Sequence, residues 1–281
     1  MKPTAVTCFV LAVAAAAGAA ADELVLPIVA LRWPGKAGNQ WSSEIFLTNP
    51  GPATVNVRVG RFLPGTLKVD VPCYPPIAAF HPVPPYSTVV LSPQALNLDL
   101  QCPVAALGGM ALDADGPVVV SSRIVNDRGL TPPGGVPAGL GQDLPAFGPA
   151  ELAVPGFVYQ LPGLVWSPIP CGLPVFEDYL YLANPGAGPV EVTLQRSRDG
   201  QPGDLVLNGR NVPTPITFTL QAAAFLQLTV APGGAFPAGM CMPYQFGDLF
   251  FTATGAVAVV ASVVDRSSQD ARTVLPVRTS D

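Results

Sequence analysis

The chain is written twice. Glu44–Val59 (EIFLTNPGPATVNVRV) aligns without a gap with Tyr179–Leu194 (YLYLANPGAGPVEVTL). Cys102–Asp127 aligns likewise with Cys241–Arg266, sharing Cys, Gly, Ala, Gly, Val, Val and Val at seven of 26 positions. A duplication fixes architecture first, because both copies must fold into the same elements. It does not by itself state a function.

Each copy alternates with period two. Ile45 and Leu47 share one face and Glu44, Phe46 and Thr48 the other; Asn49-Pro50-Gly51 turns the chain, and Val55, Val57 and Val59 form the next apolar face against Asn56 and Arg58. The second copy repeats this with Leu180 and Leu182, the turn Asn184-Pro185-Gly186, then Val190, Val192 and Leu194. One wet and one apolar face is the pattern of antiparallel sandwich sheets. Pro and Gly punctuate the chain, and no stretch keeps a helical period. Met110–Ala114 and Val118–Val125 read as a hairpin around Asp115-Gly116, paralleled by Leu249–Ala253 and Val257–Val264 around Thr254-Gly255. The returning arm is apolar on both faces, which predicts a central strand. Pro-containing strands open the copies (Leu24–Pro27, Leu152–Pro155) and Leu-Pro strands close them (Leu144-Pro145, Leu275-Pro276), as suits sheet edges.

These signals predict an all-β chain of two tandem antiparallel β-sandwich (immunoglobulin-like) domains, residues 22–147 and 148–281, with a short linker near Phe147–Glu151. Residues 1–21 read as a signal peptide: Lys2, the apolar run Phe9–Ala17, then Ala19-Ala20-Ala21 before Asp22. Removing Lys2 takes the net charge from −5 to −6. With no basic run, nucleic acid and anionic membranes are poor partners, and no later stretch is long and apolar enough for a membrane helix. The expectation is an exported protein, periplasmic or extracellular, without membrane insertion.

Four cysteines follow the signal: Cys73, Cys102, Cys171 and Cys241. An even number in an exported chain predicts disulfides. Three pairings are open; two cysteines per copy favour Cys73–Cys102 and Cys171–Cys241. A zinc site is disfavoured by the lack of a CxxC pair and by a single histidine in the whole chain.

The succession of Asn49-Pro50-Gly51, Val-x-Val, a Pro-rich stretch, Gly116–Arg123 (GPVVVSSR) with Asn126, and Leu144-Pro145 resembles a widespread exported bacterial repeat module. Asn184-Pro185-Gly186, Gly255–Ser262 and Leu275-Pro276 carry the weaker second copy. The resemblance covers nearly all of residues 22–281 and implies immunoglobulin-like domains with no assigned catalytic chemistry. The second copy departs from it at Val260-Ala261-Ser262, where the first has Ser-Ser-Arg.

No catalytic residue, metal ligand or cofactor is predicted. His81 is the single histidine and reads as a loop residue; no nucleophile turn accompanies it. Acids are scattered, and Asp178 beside Glu177 reads as a solvated strand end. Asp113-Ala114-Asp115-Gly116 resembles part of a calcium loop without its later ligands. Aromatic contact candidates are Trp33, Trp41, Trp166 and Tyr181, which could stack on a sugar or anchor a protein. The alternative for Trp33 and Trp41 is that they cover an open sandwich end. Leu164–Pro174 reads as an insertion unique to the second copy. The predicted function is a non-enzymatic exported structural or interaction protein with an unknown protein or glycan partner; a carbohydrate-binding pair or a pilus-type chaperone are the alternatives.

Overall fold

The structure, a computed structural model, describes residues 22–34, 40–65, 80–100, 105–126, 141–166, 176–232, 245–265 and 271–279. The described chain is nearly all β, in antiparallel sheets that pair into two sandwiches.

In module 1, one sheet has the order β1 (Asp22–Leu31), β7 (Ala106–Ala114), β4 (Val55–Pro64), β5 (Phe80–Val83). The facing sheet runs β6 (Ser87–Leu91), β3 (Gln40–Asn49), β8 (Val119–Asn126), β9 (Gly141–Pro145), with β2 (Trp33–Pro34) paired to the start of β3. The helix α1 (Pro93–Leu100) follows β6 and buries Leu96 in the core. Leu26, Ile45, Leu47, Val57, Met110 and Leu112 fill the space between the sheets. The alternation read from Glu44–Val59 therefore has its apolar face inward.

Module 2 has the same strand order. One sheet is β15 (Ile216–Leu220), β12 (Val190–Gln195), β17 (Gln245–Ala253), β10 (Tyr159–Trp166) and β20 (Val277–Arg278). The other is β16 (Ala224–Pro232), β11 (Phe176–Asn184), β18 (Ala258–Asp265) and β19 (Ala271–Val274), extended beyond β16 by β13 (Gly203–Leu207) and β14 (Arg210–Thr214). That extra hairpin turns at Asn208-Gly209, both with positive φ, the pair that suits a tight two-residue turn.

The copies agree residue by residue in register. Ile45 faces Ser122 and Leu91; Leu180 faces Ala261 and Leu228. Val57 faces Ala114, as Val192 faces Ala253. Even the bulge recurs, between Leu26 and Val29 in β1 and between Leu161 and Leu164 in β10. One shift of 135 residues carries both Leu24 to Tyr159 and Val57 to Val192, so Leu164–Pro174 is not an insertion. Pro162, not Pro155, is the copy of Pro27, and each proline sits in the bulge, where a missing N–H breaks no ladder bond. At the other end Ser122 faces Leu144 and Ala261 faces Val274, so the partner of Leu144 is Val274; Leu275 is 45% exposed.

Two features depart from the sequence expectation. In each copy the strands flanking the Gly-containing turn lie in different sheets, β7 against β1 and β4, β8 against β3 and β9. Asp115-Gly116 is thus an arch between sheets, not a hairpin. Asp115 accepts hydrogen bonds from the Asn56 backbone N–H and side-chain amide, both at 2.7 Å, and Thr254 Oγ1 accepts one from Glu191 N–H at 2.9 Å. Second, the central pairings β3–β6 and β4–β7 match the B–E and C–F pairs of an immunoglobulin sandwich. The first strand and the strand after the arch have exchanged sheets relative to that order.

The sandwiches stack face to face. A third apolar cluster joins Val25, Ile28 and Leu63 of module 1 to Tyr181, Ala183, Phe225, Ala258 and Val260 of module 2. Those residues lie on the outer side of the β1-β7-β4 sheet and the outer side of the β16-β11-β18 sheet. The apolar double face of Val257–Val264 follows: one side lines the module core and the other meets module 1. Polar contacts rim the cluster. Arg61 donates to the Pro185 carbonyl and, at 2.9 Å, to Glu23; Ser262 Oγ donates to Gln142 Oε1 at 2.7 Å, and Thr273 Oγ1 to the Asp143 carbonyl at 2.6 Å.

Candidate functional site

Ladder geometry brings together two of the four aromatic candidates. Trp33 and Trp41 are directly opposite on β2 and β3, and both are half-buried. Trp41 falls on the same strand face as Ser43, Ile45 and Leu47, so this pair continues the core face at the end of the first sandwich. Trp166 ends β10, with its backbone opposite Gln245, in the other module. Tyr181 is not presented to solvent. It is buried in the seam between modules, its ring centroid 6.2 Å from that of Phe225 and 6.3 Å from that of Tyr179. The four therefore form no common strip.

Cys73, Cys102, Cys171 and Cys241 lie outside the described residues, as do residues 1–21. His81 stands on the edge strand β5, opposite Val57, and not in a loop.

Most described carboxylates with side-chain bonds are tied to the scaffold. Asp113 takes an ion pair from Arg58 at 2.5 Å, which with the Asn56 bonds to Asp115 occupies the acids of the calcium-like fragment. Asp248 accepts from Gln160 Nε2 at 2.6 Å and from Gly163 N–H at 2.9 Å, bracing the β10 bulge. Glu177 accepts from the Tyr179 hydroxyl at 2.6 Å. No group of three His, Cys, Asp or Glu side chains arranged for a metal occurs among the described residues.

Asp178 departs from the sequence expectation. It is not a solvated strand end but 3% exposed, on the β11 face that also carries Leu180 and Leu182. Parity along the strand was the available signal. Burial pushes its carboxyl up to about 8 from 3.8; the Val165 N–H and the Arg272 charge pull the other way. Neither carboxylate oxygen has a hydrogen bond of full geometry. Its counterpart in module 1 is Ser43, whose Oγ accepts the Ala30 N–H at 2.9 Å. A hydroxyl satisfies that amide without charge, whereas a carboxylate there must keep its proton or lose solvation.

Comparison with protein-family models, with curated proteins and with solved structures finds no match to this chain. Among the described residues no helix is long and apolar enough to cross a membrane.

Proposed function

We propose that this chain is a non-enzymatic, exported structural or interaction protein whose two immunoglobulin-like modules act as one stiff unit toward a cell-envelope or extracellular partner. The observation that carries this reading is the unequal use of one repeated sheet face. In module 2 that face is buried against module 1; in module 1 its counterpart presents Phe46, Thr48, Val90, Val119 and Ser121. Val90 and Val119 are 49% and 61% exposed. Scaffold duties for Asp113, Asp115, Asp248 and Glu177 further support a role without catalysis.

The test is affinity capture of the protein from its own envelope fraction, compared with a Trp41→Ala, Trp166→Ala double variant and a Phe46→Glu, Val119→Glu double variant. Loss of a common partner with the face variant supports the reading; identical profiles for all three remove both contact sites. The Trp33–Trp41 pair supports a second reading, carbohydrate binding at the end of module 1, since paired rings can stack on a sugar. Tryptophan fluorescence unchanged across a glycan panel would end it. The pilus-type chaperone is disfavoured, because this chain's two modules are copies of each other.

A further inference from the structure

Asp178 is the only buried charged residue among the described residues. It stands near the start of β11, opposite Val230 on β16 and Val263 on β18, with Val165 of β10 across the sandwich. The described charges around it are few. Arg272 approaches from β19 but donates to the Gly163 carbonyl; Glu177 lies on the other face of β11, bonded by Tyr179; Asp265 ends β18; β10 and β16 bring valines. An acid so placed is stable neutral: the Val165 N–H of β10 favours the carboxylate but does not offset its burial, and neither oxygen gains a hydrogen bond of full geometry. The first copy meets the same backbone requirement with Ser43, so the fold does not need an acid here.

We infer that Asp178 is a proton-held latch on the second sandwich: neutral, it closes the β10–β11 end, and loss of its proton to water drives that end open. The closed form binds more protons than the open form between the ordinary value of 3.8 and about 8. Closure therefore weakens as pH rises through that window and is level outside it. This places a pH response in one module only.

Native-state hydrogen exchange on the full chain tests this, with rates corrected for intrinsic pH dependence. β1 and β3 of module 1 serve as the internal reference. Opening of β10 and β11 amides is expected to grow by up to about tenfold per pH unit between about pH 5 and 8. The reference strands should not follow, and Asp178→Ser should flatten the response. Equal pH dependence in the two modules, or an unchanged slope in Asp178→Ser, would overturn the inference. Should the serine variant fail to fold, Asp178→Asn replaces it. The carboxyl carbon of wild-type Asp178 must then also titrate well above the ordinary aspartate range; a normal titration would refute the latch.

Discussion

Asn49 and Asn184 show why the repeated Asn-Pro-Gly turn needs asparagine and not merely a turn former. Each is fully buried. Asn184 Nδ2 donates to the carbonyls of Gly188, Leu220 and Gln221, and its Oδ1 accepts the Gly186 N–H at 2.9 Å. Asn49 makes the same four bonds, to Ala53, Val83, Pro84 and Gly51. One side chain thus ties the turn to the strand that arrives at it from across the sandwich. Replacement by Asp keeps the shape and removes the donors, leaving buried carbonyls unpaired at about 1–3 kcal/mol each. Asn184→Asp should lower stability in urea denaturation by at least about 2 kcal/mol; a loss under 0.5 kcal/mol would show the network to be incidental. Ser122 argues the converse. Its buried Oγ has no partner, and the second copy has Ala261 at that position. Ser122→Ala should leave stability level or raise it by about 1 kcal/mol in the same measurement.

At the scale of elements, strand positions and inward faces were legible because alternation is local. Which sheet each strand joins was not. Asp115-Gly116 has the composition of a hairpin turn, yet Asp115 holds the arch to Asn56 of β4, a contact 59 residues away in sequence. Gly116 is not among the glycines with positive φ, so the turn conformation that the pair favours is absent. What composition could not reveal, comparison of the copies could: Thr254 holds the same place with a hydroxyl. The Asn56 bonds hold the Asp115 carboxyl below its ordinary 3.8, the side-chain bond contributing most. A carboxyl lowered by folding adds stability above the unfolded value, and that stability is lost as pH falls through the folded value. Acid titration of wild type should therefore show an extra loss below about pH 4 that Asp115→Thr lacks. Superimposable acid curves would remove the role assigned to this carboxylate. The Asp178 signal was also present in the pattern, since positions 178, 180 and 182 share a face; its pairing with Glu177 in sequence concealed it.

For the whole molecule, the differences between copies carry the assembly. Register equates Phe46 with Tyr181, Thr48 with Ala183, Val119 with Ala258 and Ser121 with Val260 on one face, and Val25 with Gln160 and Gly109 with Asp248 on the other. On balance the copy that docks is the more apolar or the smaller, so Ser-Ser-Arg against Val-Ala-Ser records docking before it records any ligand. This was hidden in the sequence because no single strand reports what lies on its outer side. Gly109 marks a close approach of the two sandwiches: a Cβ there would stand 3.1 Å from the Ala183 Cβ and 3.1 Å from Leu63 Cδ1. Both neighbours are buried, and a Cβ at 3.1 Å already asks each to give by a few tenths of an ångström, so the larger valine side chain crowds the seam. Gly109→Val must then separate the sheets, exposing Val25, Ile28, Phe225 and Val260, whose burial stabilises the pair by about 1.5–3 kcal/mol each at full coverage. Each module keeps its own core, so loosening the seam should uncouple the modules and not unfold them. Wild type should melt in one calorimetric transition, and Gly109→Val in two, the first lowered and accompanied by binding of a hydrophobic dye. A single transition at the wild-type temperature in the variant would show that the seam does not join the two sandwiches into one cooperative unit.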